Sequence, residues 1–221
     1  MRFFGVLMVF AACHNGGGAT PGVDASPDGT TGGSDGSQTA LGMFVTWRAD
    51  PALPGVVTDK ITVTDATFQL DHLQIVGDAG NDARTTHSKY LLTWDSQAKP
   101  SQERFPDAPV GVYSKISLVM MTGSLSDNAY EIHGTWTDSN MPAKRFEVRD
   151  NATLSLSIDC DEELPAAGTA SLAIKVDLKD ALNGIDFRLL EDEDNGLELK
   201  DGPQLVEFRD RLKKAFKLND D

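Results

Sequence analysis

The sequence predicts a mainly β protein: an antiparallel β-sandwich of about eight strands with one C-terminal α-helix, preceded by a signal peptide and a disordered linker. Three observations carry this. Short stretches of strict alternation, cleanest in Leu154-Ser155-Leu156-Ser157-Ile158-Asp159, have the period of a half-buried strand. Turn residues separate such stretches at short intervals, the pattern of all-β domains. From Pro203 the period changes: Leu205, Phe208, Leu212 and Phe216 fall at i, i+3, i+7 and i+11, the stripe of an amphipathic helix.

At the N-terminus, Arg2 precedes an apolar run from Phe3 to Phe10, followed by Ala11, Ala12 and Cys13. The run is far short of the roughly 20 residues a membrane-spanning helix needs, and fits the apolar region of a secretory signal. Phe10-Ala11-Ala12-Cys13 resembles the lipobox of bacterial lipoproteins, with Phe10 where Leu is usual. That resemblance implies a signal peptide over residues 1–12 and acyl chains on Cys13, which would hold the protein to a membrane. His14, rather than Asp, then directs it to the outer membrane of a Gram-negative cell envelope.

Residues 13–39 form the expected linker. Gly16-Gly17-Gly18, Asp28-Gly29 and the Thr31 to Ser37 stretch carry almost nothing apolar, too little to offset the entropy of ordering. A flexible coil of this length spans roughly 30 Å. Residues 40–221 remain as one domain of about 180 residues, long enough to bury a core without disulfides.

Within the domain, Met43, Val45 and Trp47 alternate with Phe44, Thr46 and Arg48 up to Asp50-Pro51, a first strand, and Pro54-Gly55 is a turn. The stretch from Ile61 to Ile75 keeps strand character but changes parity twice. Ile61 and Val63 lie in one phase, Phe68 and Leu70 in the next, and Leu73 and Ile75 are displaced again at Asp71-His72. Side chains alternate with period two, so each change requires a bulge or a break. Short strands follow at Tyr90–Trp94, Val112–Met120, Tyr130–Trp136, Phe146–Val148, Leu154–Ile158 and Leu172–Val176. Asp180 to Gly184 fits one helical turn, and Asp194-Asn195-Gly196 fits a tight turn. The helix is expected over 203–217, its Leu/Phe stripe packed on the strands and its last-turn lysines complementing the dipole.

The run Phe105-Pro106-Asp107-Ala108-Pro109-Val110-Gly111-Val112-Tyr113-Ser114-Lys115-Ile116-Ser117-Leu118 is similar to a segment of uncharacterised bacterial envelope lipoproteins. Those proteins have a transthyretin-like or carbohydrate-binding-like β-sandwich. The likeness covers residues 41–125 and implies fold and location; the family has no activity to carry over.

A net charge of −14 argues against nucleic acid, whose phosphates require Lys and Arg. Glu191, Asp192, Asp194 and Asn195 are the candidate metal ligands, with calcium the cofactor they would suit. The EF-hand spacing fails, because counting Gly196 as the sixth loop residue puts Gly202 at the twelfth. His72, His87 and His133, with Met120, Met121 or Met141, are the residue types for copper, but no two histidines have a close ligand spacing. No nucleophile elbow, zinc-protease helix or phosphate loop occurs, so no catalytic residue is assigned. Trp47, Trp94 and Trp136 lie on strands, where core packing is favoured over sugar stacking. Cys160, among Asp159, Asp161, Glu162 and Glu163, is expected to be a poor nucleophile. The expected function is a lipid-anchored, non-enzymatic binding or interaction module with a glycan or protein ligand. The alternatives are an envelope polysaccharide hydrolase and a calcium- or copper-binding envelope protein.

Overall fold

A computed structural model describes residues 42–78, 83–84, 89–100, 102–124, 126–139, 141–193 and 196–219. The described chain is mainly β, in two sheets that do not close. In order, the strands are β1 (Gly42–Asp50), β2 (Gly55–Val56), β3 (Ile61–Gly77), β4 (Ala83–Arg84), β5 (Lys89–Trp94), β6 (Glu103–Phe105) and β7 (Gly111–Met120). Then follow β8 (Tyr130–Trp136), β9 (Lys144–Asp150), β10 (Leu154–Leu164), β11 (Thr169–Asp177), β12 (Glu191–Glu193), β13 (Gly196–Leu199) and β14 (Phe216–Leu218). A short helix α1 (Leu178–Leu182) follows β11, and α2 (Gly202–Ala215) runs directly into β14.

The smaller sheet has the order β14-β11-β1-β6, and the larger runs β10-β7-β3-β8-β9-β13-β12 with β2, β4 and β5 also on β3. The two share one apolar core, with the Phe68 ring on β3 meeting Phe216 on β14 edge-on at 5.4 Å. Two expectations are corrected. The described residues contain fourteen strands rather than about eight, because several are two to four residues long and too short to show a period. The pairing is mixed rather than antiparallel, since β1 with β11 and β9 with β13 run parallel. Alternation is blind to strand direction, and long intervening segments let both parallel partners return from the same end.

β3 is the spine, at 17 residues. β5 lines one of its edges from Ala66 to Asp71; on the other edge β8 pairs with Ile61–Phe68 and β7 with Leu70–Gly77. Both expected changes of parity are bulges within one continuous strand. The first falls between Val63 and Asp65 against β8, the second between Asp71 and Gln74 against β7. His72 occupies the second with φ of 54°, a left-handed backbone that absorbs the extra residue.

Where β7 ends at Met120 and β8 begins at Tyr130, Gln69 holds the two flanking segments together. Its side chain is buried; Nε2 donates to the Met121 carbonyl at 2.9 Å and Oε1 accepts from the Ser126 amide at 2.7 Å. Its backbone completes the junction, donating to the Ala129 carbonyl at 2.8 Å and accepting from the Met121 amide at 3.1 Å. Gly123 sits against this amide, where a Cβ would lie 2.3 Å from Nε2.

Helix α2 buries Leu205, Phe208, Leu212 and Ala215, so the apolar stripe packs inward as expected. It ends at Ala215, not 217: Phe216 begins β14, pairing with Val176. Pro203 occupies the first turn, where no intrahelical donor is needed. Phe208 packs on Tyr130 at 5.7 Å, and one turn of charge chemistry locks the contact. Arg209 donates from Nε and Nη2 to both oxygens of the buried Asp150 at 2.6 and 2.8 Å, and the Tyr130 hydroxyl donates to Asp150 at 3.0 Å. Burial by itself raises the Asp150 pKa, but Arg209, the Ala152 amide and Tyr130 outweigh it and hold the carboxyl below the usual range. A depressed carboxylate stabilises the fold above its unfolded pKa near ~3.9 and loses that contribution as pH falls through its folded value. Asp150→Asn should therefore cost about 3 kcal/mol in urea unfolding at pH 7, with the difference from the parent shrinking below about pH 4. Equal stability of parent and variant at pH 7 would contradict this anchoring role.

Candidate functional site

The first β3 bulge has a consequence on the outer face of the larger sheet. With Thr64 as the extra residue, Val63 opposes Gly134 while Asp65 opposes His133. Glu147 lies opposite His133 on β9, and Glu198 opposite Glu147 on β13, so four ionisable residues form one row across four strands. Bulges recur where a sheet must re-aim a functional side chain.

His133 is half-exposed, with Nδ1 2.6 Å from Asp65 Oδ1 and Nε2 3.9 Å from Glu147 Oε1. The Thr64 hydroxyl donates to the second Asp65 oxygen at 2.8 Å, fixing the carboxylate. With Nδ1 directed at Asp65, the ring presents Nε2 to a surface depression of about 530 Å³ walled by Thr64, Thr135, Arg145 and Glu147. At the far end of the row, Glu198 is buried. Its pKa is lowered by an ion pair with Lys200 at 3.0 Å, against the opposing effect of burial, and Arg149 adds a contact at 3.2 Å. Arg149 Nε also lies 3.6 Å from Glu147, so the row is internally neutralised away from His133.

Donors, acceptors and both charge signs meet in this depression. That chemistry suits a ligand with several hydroxyls or mixed charge, held by hydrogen bonds. Asp65 and Glu147 flank the imidazole.

The residues singled out in the sequence are dispersed. Cys13, His87, Asp194 and Asn195 lie outside the described residues. Glu191 and Asp192 stand exposed on β12, and Asp192 is engaged by Lys144. Among the described residues, no three His, Cys, Asp or Glu side chains are grouped to hold a metal ion. Trp94 and Trp136 are buried, Trp94 against Phe68 and Trp136 stacked on Phe187; Trp47 is half-buried against Tyr90. All three therefore pack, as the strand parity implied. His72 is exposed at the second bulge, apart from this row. The His133 pairing was missed in the sequence because its partner is 68 residues away, and only the parity change at Thr64 hinted that Asp65 is displaced.

No helix among the described residues is long and apolar enough to cross a membrane. Comparison with known proteins finds no matching family model, no matching curated protein and no matching solved structure.

Cys160 is half-buried, with Sγ 3.4 Å from the Tyr113 carbonyl. Burial, then the charges of Glu162, Asp159, Asp161 and Asp78, push its pKa up to about 11. In a Cys13→Ser chain, where Cys160 is the one thiol, iodoacetamide should react at pH 8 at least ~10-fold more slowly than with free cysteine. The rate should climb with pH toward about 11. Rapid alkylation at pH 7 would show that the acidic surroundings do not control this thiol.

Proposed function

We propose that the chain is a lipid-anchored cell-envelope protein whose β-sandwich acts as a non-enzymatic binding or interaction module for a glycan or protein. The observation that carries the reading is the order of parts: Arg2, a short apolar run, Ala11-Ala12, Cys13, then a Gly/Ser/Asp linker ahead of the folded domain. Acylation of Cys13 adds about 0.8 kcal/mol of membrane affinity per buried methylene, and two or more chains hold a protein stably. The resemblance to envelope lipoproteins agrees with this location, at the outer membrane of a Gram-negative bacterium.

Two features support the sandwich. Its sheets share a core through Phe68 and Phe216. Tyr113, buried near the start of β7, donates its hydroxyl to the Pro109 carbonyl at 2.5 Å. A tyrosine bonded back to the chain just upstream of its strand is a corner found in immunoglobulin-like sandwiches. It also gives the Pro-x-Gly-x-Tyr segment a physical reason. The depression beside His133 is the binding face we assign, since it offers exposed polar groups in a fixed geometry.

Replacing Cys13 by Ser in the producing cell tests the anchor. The parent should incorporate radiolabelled palmitate and sediment with membranes, whereas the variant should do neither. Retention of the variant in the membrane fraction, or absence of label in the parent, would reject the lipoprotein reading.

A further inference from the structure

The depression beside His133 lies between two rows of outward side chains on the larger sheet. One is the row of Asp65, His133 and Glu147, whose charges are matched among themselves and by Arg149. The other is Thr62, Thr135 and Arg145, opposite one another on β3, β8 and β9. Residues two apart on a strand share a face and stand roughly 6.5 Å apart, so about that distance separates the rows on β8 and β9. Gly134 lies between them and adds no side chain to the floor; the Phe146 ring fills the space where its Cβ would stand, 2.6 Å away.

The second row differs from the first in its unmet bonding capacity. Arg145 is exposed and, among the described residues, has no ion pair or hydrogen bond. The Thr135 hydroxyl opposite it has none among them either. Neighbouring cations are engaged: Lys144 by Asp192, Arg149 by Glu147 and Glu198, and Lys200 by Glu198. Arg145 is thus an unengaged positive charge on the wall of the depression, with a planar fork shaped for two carboxylate oxygens. On the opposite side, His133 Nε2 is 3.9 Å from Glu147, too far for a hydrogen bond. A neutral ring that donates from Nδ1 to Asp65 accepts at Nε2, and Glu147 accepts as well. This side therefore takes hydroxyl donors.

Together the two sides call for a ligand with a carboxylate at one end and neighbouring hydroxyls at the other. We propose that the depression takes a hexuronic acid residue of a glycan. Its carboxylate is forked by Arg145 and bonded by the Thr135 hydroxyl, and its vicinal hydroxyls donate to His133 Nε2 and Glu147. A pyranose ring with a C6 carboxylate carries those groups on opposite edges. A free amino acid does not, because its carboxylate and ammonium are attached to one carbon. The net charge of −14 repels a long polyanion, so the residue recognised is a single uronate, at a chain end or among neutral sugars. The inference rests on the reading of this face as a glycan-binding module, and narrows its ligand.

The test titrates the full-length protein at neutral pH with methyl β-D-glucuronide, methyl β-D-glucoside and acetate, following the amide resonances of Gly134 and Thr135. The two sugars differ only at C6, and acetate supplies the carboxylate alone. Saturable shifts are expected with the glucuronide, with affinity at least ~10-fold weaker for the glucoside and for acetate. Arg145→Gln should bring the glucuronide down to the level of the glucoside and leave the glucoside unchanged. Equal affinity for the two sugars would overturn the inference while leaving a glycan-binding face in place. No saturable shift with either sugar would overturn the inference and the glycan reading of this face together. Acetate binding as tightly as the glucuronide, or an unchanged affinity in Arg145→Gln, would also overturn it, by reducing the site to an anion contact or by placing the carboxylate elsewhere. The probe comparisons are made on the unaltered protein, so they decide the matter even if the variant misfolds.

Discussion

The structure depends on a single constraint at the centre of β3: one strand must serve two partners in line on the same edge. A strand presents alternate side chains to opposite faces, and a slip of one residue turns its apolar set outward. β3 meets this by passing through two bulges, so that Ile61 and Val63, then Ala66, Phe68 and Leu70, then Leu73 and Ile75 all face the core. Between the bulges, the backbone and side chain of Gln69 together bond the two ends of the loop where β7 gives way to β8. A buried amide is costly unless satisfied, and both ends of this one are. Its placement is thereby specified: any slip of β3 would bury an unpaired amide and expose a core face at once.

The second organising device is electrostatic. Buried carboxylates in this acidic chain have cations or donors in contact: Asp150 has Arg209 and Tyr130, and Glu198 has Arg149 and Lys200. The Asp150 set joins the start of β8, the end of β9 and the middle of α2, fixing the helix against Tyr130. Much of the remaining acidity lies at the surface, where it suppresses the Cys160 thiolate. The same residues thus serve solubility and thiol chemistry.

What the sequence revealed and concealed follows from the range of each interaction. The parity changes near Thr64 and His72 were legible as bulges because they are local breaks in a period. The Leu205, Phe208 and Leu212 stripe was legible for the same reason, as was the inward packing of Trp94 and Trp136. The parallel pairing of β1 with β11 was not, since alternation carries no direction. Strands as short as β2, β4 and β6 have no period to read, which explains the low expected count. Pairings such as Asp65 with His133 and Asp150 with Arg209 join residues far apart in the chain, and no local pattern marks them. The proposed binding face consequently emerged from geometry, while the proposed anchor at Cys13 rests on sequence.

The central claim, that the Gln69 amide fixes the junction on which β3 and its partners depend, is tested most directly by coupling it to Gly123. A methyl at position 123 would fall 2.3 Å from Gln69 Nε2, part of a carboxamide that two hydrogen bonds, one at Nε2 and one at Oε1, hold in place. The measurement is a double-mutant cycle in urea unfolding with Gly123→Ala, Gln69→Ala and the pair. The account predicts that Gly123→Ala costs about 1–3 kcal/mol in the parent and clearly less once the amide is gone, a coupling of about 1 kcal/mol or more. Strict additivity, with Gly123→Ala equally costly in both backgrounds, would contradict it.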